Sequence, residues 1–254
     1  ASSGSGSSSS GSSTTDTGNG TVVTSFSELT AAVTKAQKAG GGIVYVKGSS
    51  ISCTAQLALK ASNANVSIIG VKNSDGTYPV LDFSAFRSAY IGKATTDSEV
   101  GIRISGSNYT IKNLIIQKAP DNGIQIKGSS AGNNTIENCI VRYNNDAGVQ
   151  ITGGAYSNTM RFVYSYRNCD VYTLGGNADG FAPKLGAGKG NVFYGCYSWE
   201  NSDDGWDSYD KDSLTYNLTY TNCACWNNGD PTIFTGEYDY NNGNALDTDL
   251  LLVE

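Results

Sequence analysis

The chain has 254 residues, including 31 Gly, one Met and no His, and a net charge of −6. The absence of His excludes His-based catalytic triads and His-ligated zinc, and no basic stripe suggests a nucleic-acid surface. No stretch resembles a membrane span or the apolar core of a signal peptide, and a domain of this length can bury a sizeable core.

Residues 1–20 are a Ser/Gly/Thr run that cannot bury apolar surface and reads as a flexible linker. A linker in this place predicts a multi-module protein, with residues 21–254 as one domain, expected to be monomeric. The first predicted element is a helix over 25–39. Ser25 and Glu28 form a capping box, Phe26, Leu29, Val33 and Ala36 recur at helical spacing, and Gly40-Gly41-Gly42 ends the run. Such a helix can cover the open end of an elongated sheet. Ile43–Val46, Val66–Ile69 and Val80–Phe83 then read as short strands.

After residue 100 a repeat emerges. One predicted strand recurs as Tyr109–Ile116, Asn134–Val141, Asn158–Ser165, Asn191–Ser198 and Leu218–Cys225. A second recurs as Asn122–Ile126, Ala147–Ile151, Asp179–Pro183 and Asp204–Ser208. Its glycines, 123, 148, 180 and 205, are 25, 32 and 25 residues apart. This period, with short strands in each unit, predicts a β-solenoid whose coils stack to bury a common core. The repeated Gly marks a bend that needs either positive φ or close backbone approach. Asn113, Asn138 and Asn222 share one position and suggest a partial asparagine ladder. Of the six cysteines, 139, 196 and 223 also share a position. They read as stacked buried thiols, with a Cys196–Cys223 disulfide as the alternative. Trp199 and Trp226 fall at equivalent positions, and core stacking is the expectation, a sugar platform the alternative. The insertion 168–176 in the third unit would form a groove wall.

Two segments break the neutral pattern: Asn177-Ala178-Asp179-Gly180-Phe181 and Asn201-Ser202-Asp203-Asp204-Gly205-Trp206-Asp207. Asp and Asn before Gly are ordinary turn residues. The earlier units, however, carry Asn122 and Ala147 at the same place, so the turn does not require a carboxylate. If Asp179 and Asp204 stack at about 4.8 Å, their repulsion is roughly 3 kcal/mol at an effective dielectric of 20. A hard cation with oxygen ligands, such as Ca²⁺, would offset it. An acidic protein can bind an acidic polymer through such cations.

These segments, with Lys184-Leu185 and Gly190-Asn191-Val192-Phe193 between them, resemble polysaccharide lyase family nine, the calcium-dependent pectate lyases. The resemblance is close over 177–210 and looser from about 24 to 230. It implies an all-β, right-handed parallel β-helix with an N-terminal capping helix, secretion, and β-elimination of polygalacturonate. It also implies Ca²⁺ ligated by Asp179, Asp203, Asp204 and Asp207, with Lys184 and Lys211 as candidate substrate contacts. The family's base is a lysine two residues past a repeat Gly, on the coil after Asp207. Here Asn242-Gly243-Asn244-Ala245 offers none. The abrupt Leu250–Glu254 end favours a clipped chain, so residues 1–254 alone are expected to be nearly inactive. The competing reading is a non-catalytic, calcium-dependent carbohydrate-binding or adhesin-type solenoid.

Overall fold

The structure, a computed structural model, describes residues 18–90, 93–173, 175–210, 216–230 and 234. Strand β1 (Thr21–Val23) leads into helix α1 (Phe26–Ala39). The Ser25 hydroxyl accepts the Glu28 N–H, and the Glu28 carboxylate reaches back to the Thr24 N–H at 2.8 Å. Gly40 closes the helix at φ 75°, where a side chain would be strained. Leu29, Ala32, Val33 and Ala36 are buried, and α1 packs on the strands that open the solenoid, as its capping role requires.

The first coil comprises β2 (Gly42–Val46), β3 (Ser50–Ser52) and β4 (Leu57–Leu59). The second comprises β5 (Val66–Gly70), β6 (Val80–Asp82), the short helix α2 (Ser84–Arg87) and β7 (Ile102–Ile104). Then follow β8 (Tyr109–Lys112), β9 (Ile115–Gln117) and β10 (Ile124–Lys127), and next β11 (Thr135–Glu137), β12 (Ile140–Arg142) and β13 (Val149–Thr152). The fifth coil has β14 (Thr159–Arg161), β15 (Tyr164–Tyr166) and β16 (Phe181–Pro183). The sixth has β17 (Val192–Tyr194), β18 (Tyr197–Trp199) and a bridge from Trp206 to Phe181. The last strands described are β19 (Thr219–Thr221) and β20 (Ala224–Trp226).

First, second and third strands of successive coils pair in parallel into three sheets, in the orders β1-β2-β5-β8-β11-β14-β17-β19, β3-β6-β9-β12-β15-β18-β20 and β4-β7-β10-β13-β16. We call them sheets A, B and C. Ile68, Ile111, Ile136, Met160 and Phe193 line one inward column of sheet A. All five are essentially inaccessible, and full burial of such a side chain contributes about 1.5–3 kcal/mol.

Each predicted first strand is in fact two. A left-handed residue divides them: Asn113 (φ 58°), Asn138 (51°), Phe162 (52°), Gly195 (62°) and Asn222 (53°). A second left-handed column, Lys118, Tyr143, Arg167, Glu200 and Asn227, ends the sheet B strands. The repeat glycines are not left-handed. They are required by proximity: a Cβ on Gly148 would lie 2.0 Å from the Ser165 Oγ, and one on Gly180 1.8 Å from the Ser198 Oγ.

The six cysteines are free thiols, and no disulfide joins Cys196 to Cys223. Cys139 and Cys196 are buried, and each donates its thiol to a carbonyl of the preceding coil, whereas Cys223, expected to be buried with them, is only half-buried. Trp199 and Trp226 do stack, with ring centroids 5.1 Å apart and planes 2° from parallel, but on the outer face of sheet B rather than in the core. Trp226 is 45% exposed. Tyr166 extends the stack below Trp199 at 4.4 Å. Trp199 has both ring faces covered, by Tyr166 and by Trp226, so it presents an edge rather than a face to a sugar.

Candidate metal centre

Asp179 lies two residues before strand β16, and Lys184 immediately follows the strand. Asp203 and Asp204 lie in the turn after β18, and Asp207 follows the Trp206 bridge. Gly180 N–H donates to the Asp204 carbonyl at 2.8 Å, and Asp204 N–H to the Asp179 Oδ1 at 3.2 Å. Asp179 and Asp204 therefore stack one coil apart, as the repeat predicts. Carboxylate oxygens of Asp179, Asp204 and Asp207 lie within 4.8 Å of one another. Asp203 stands outside this triad, although its charge acts on Asp179.

Asp179 is fully buried. Burial raises its carboxyl to about 7, against the pull of Lys184; Asp207 and Asp203 add to the rise. Burial and Asp204 likewise raise Asp203. The Lys184 ammonium bridges Asp179 Oδ2 and Asp207 Oδ2 at 2.7 Å each. Burial opposes its charge, but the two carboxylates outweigh that and hold it above the ordinary lysine range. Three converging carboxylates, without His or Cys, form a hard-cation donor set. An ammonium already drawn between two of them is a stand-in for such a cation. The residues present thus fit Ca²⁺. Lys211 lies outside the described residues, as does Asn242–Ala245.

The wall predicted from the insertion is built around Asp170. Its carboxylate accepts from Tyr172 N–H, Thr173 N–H and hydroxyl, and Asn177 Nδ2. The Ser202 hydroxyl bonds the Gly175 carbonyl at 2.8 Å, fixing the wall beside Asp203.

Two columns escaped the sequence reading. Asn144, Asn168, Asn201 and Asn228 form a ladder. Asn144 Nδ2 donates to Asn168 Oδ1 at 2.9 Å, Asn168 Nδ2 to Asn201 Oδ1 at 2.8 Å, and Asn201 Nδ2 to Asn228 Oδ1 at 2.9 Å. Asn134, Asn158 and Asn191 form another beside sheet A. The ladder expected at Asn113 and Asn138 is reduced to one 3.4 Å contact. Two residues beyond the first ladder stand Asp146, Asp170 and Asp203, with Asp121 continuing the series. Burial raises the Asp121 and Asp146 carboxyls, and Asp170 adds to both shifts. The constant offset from the ladder Asn was the available signal.

Stacked coils of three parallel sheets, with a carboxylate cluster at one end of sheet C, define a parallel β-helix with a candidate hard-cation site. The family described as Pel9A-like, right handed beta helix region matches residues 10–246. The chain belongs to this family, polysaccharide lyase family nine, and the helix is right-handed. Pectate lyase L of Paenibacillus polymyxa is 34% identical over 191 residues, covering 72% of this chain and 40% of that protein. Pectate lyase L of Dickeya chrysanthemi is 32% identical over 141 residues, covering 56% and 27%. The crystal structure of pectate lyase Pel9A superposes with a TM-score of 0.62 at 27% identity, covering 80% of this chain and 48% of that one. The chain thus spans less than half the length of these relatives. Among the described residues, no helix is long and apolar enough to cross a membrane.

Proposed function

We propose that the protein is a secreted pectate lyase module that binds polygalacturonate through Ca²⁺ and cleaves it by β-elimination. The observation that carries this reading is the convergence of Asp179, Asp204 and Asp207 within 4.8 Å on coils matching a lyase family. Asp179, Asp204 and Asp207 would hold the ion, with Asp203 as the fourth ligand. Bound calcium would supply a Lewis acid that stabilises charge developing on a uronate carboxylate. Lys184, freed from Asp179 and Asp207, would turn to that same carboxylate, with Lys211 as a second contact. The wall pinned by Asp170 and Ser202 would limit water on one side. We also retain residues 1–20 as a linker to a further module of a monomeric chain.

Removal of the C5 proton needs a base, and the resemblance assigns it to a position that Ala245 holds here. That departure favours, as a second reading, a module that binds uronate without efficient chemistry. General-base catalysis typically contributes about 10²–10⁴-fold. We therefore expect this chain to release unsaturated uronates, read as ultraviolet absorbance, that much more slowly than the Paenibacillus relative, with chelation abolishing the rest. A comparable rate would mean that another group serves as base, and Lys184 is the first to mutate. No calcium-dependent binding or cleavage of polygalacturonate would reject both readings.

A further inference from the structure

The outer face of sheet C carries two columns that run away from the aspartate triad. Two residues past Gly101 and past each of the four repeat glycines stand Arg103, Gln125, Gln150, Ala182 and Asp207. Four residues past the glycine stand Lys127 and, two coils on, Lys184. Lys184 is committed to Asp179 and Asp207. Arg103, Gln125 and Lys127 instead converge on Asp97, a carboxylate from the loop between α2 and β7. Arg103 Nη1 lies 3.3 Å from Asp97 Oδ1, Gln125 Nε2 donates to Oδ1 at 3.1 Å, and Lys127 Nζ is 2.5 Å from Oδ2.

The receiving side of this site is buried and the delivered side is more exposed, although the Asp97 carbonyl also accepts from Gln56 Nε2 at 3.0 Å. Gln125 is 4% exposed, and its amide is fixed by Gln150 at 2.6 Å and by Arg103. The Asp97 side chain is 43% exposed and reaches the pocket from a loop. Two cations and an amide on three adjacent positions of a flat sheet form a carboxylate receptor. Lys127 and Lys184 share a column two coils apart, about 10 Å at the usual strand spacing. A linear pyranoside advances by about one coil per sugar, so a chain held at the triad would bring another carboxylate near Lys127.

We infer that Arg103, Gln125 and Lys127 form a uronate-carboxylate subsite, and that Asp97 fills it until an oligogalacturonate displaces the loop. This rests on the pectate reading above. The exchange conserves charge at the cations: one carboxylate leaves as another arrives.

The test is calorimetric titration of tetragalacturonate, and of its fully methyl-esterified form, into the calcium-loaded chain. Asp97→Asn, which frees the cations but keeps the size of the side chain, is expected to tighten binding of the acid about tenfold. Arg103→Gln and Lys127→Gln are each expected to weaken it about tenfold. The ester should respond to none of the three. Affinity unchanged or lowered in Asp97→Asn, or unchanged in both cation variants, would overturn the subsite. Failure of the wild-type chain to bind either oligomer would instead reject the pectate reading, and the subsite with it.

Discussion

Two columns at the same corner of the helix, two residues apart, behave in opposite ways. Asn144, Asn168 and Asn201 are buried and Asn228 half-buried, and the inner pair, Asn168 and Asn201, each accept from one ladder neighbour and donate to the next. Asp121, Asp146, Asp170 and Asp203 repeat with the same spacing but can only accept. Burial leaves Asp121, Asp146 and Asp203 reluctant to ionise. An amide carries its own complement, so a coil can be added without limit. A carboxylate column must find donors, protons or a cation at every rung. Asp170 finds donors in its own loop, and Asp179 finds Lys184. The calcium reading rests on the cluster beside that column, Asp179, Asp204 and Asp207, whose converging carboxylates face the same need for a partner.

The amide column is the more sensitive to loss. Asn168→Ala would orphan the Asn144 N–H and its Nδ2 donor, both buried and both now bonded to Asn168 Oδ1. We expect a destabilisation of about 3 kcal/mol or more, read from a denaturant midpoint. A loss below about 1 kcal/mol would mean that water or neighbours replace the ladder.

The next effect concerns the internal cation. Lys184→Met removes the ammonium that competes for Asp179 and Asp207. Calcium affinity is expected to rise about tenfold, and the metal-free chain to melt earlier. Unchanged or weaker calcium binding would show that Lys184 orders the ligands rather than competing with the ion.

A smaller effect is expected from Asp146→Asn. The Asp146 carboxyl is raised on folding by burial, then by Asp121 and Asp170. The folded chain therefore binds more protons than the unfolded one between the ordinary Asp value and the raised one. Stability from this residue falls as pH rises through that interval. The variant should melt higher than wild type at pH 7 and equally at pH 3. A gain of the same size at both pH values would point to packing instead.

Much of this contrast was legible in the sequence, and the parts that were not have identifiable causes. The solenoid period, the capping helix, the thiol column and the stacking of Asp179 on Asp204 followed from residues that repeat in kind. The corner dividing sheets A and B did not, because Asn113, Asn138, Phe162, Gly195 and Asn222 share a left-handed backbone but no side-chain type. The amide ladder was hidden by the insertion, which spaces Asn144, Asn168, Asn201 and Asn228 by 24, 33 and 27 residues. From the sequence, Lys184 is a candidate substrate contact only. Its pairing with Asp207, 23 residues later, depends on how two coils stack.

Calcium titration by calorimetry tests the central claim most directly. Wild-type chain is expected to bind one ion, and Asp179→Asn to lose about a hundredfold in affinity while keeping the parallel β-helix by circular dichroism. No calcium binding by the wild type, or full affinity in Asp179→Asn, would contradict the assignment of this cluster as the metal centre.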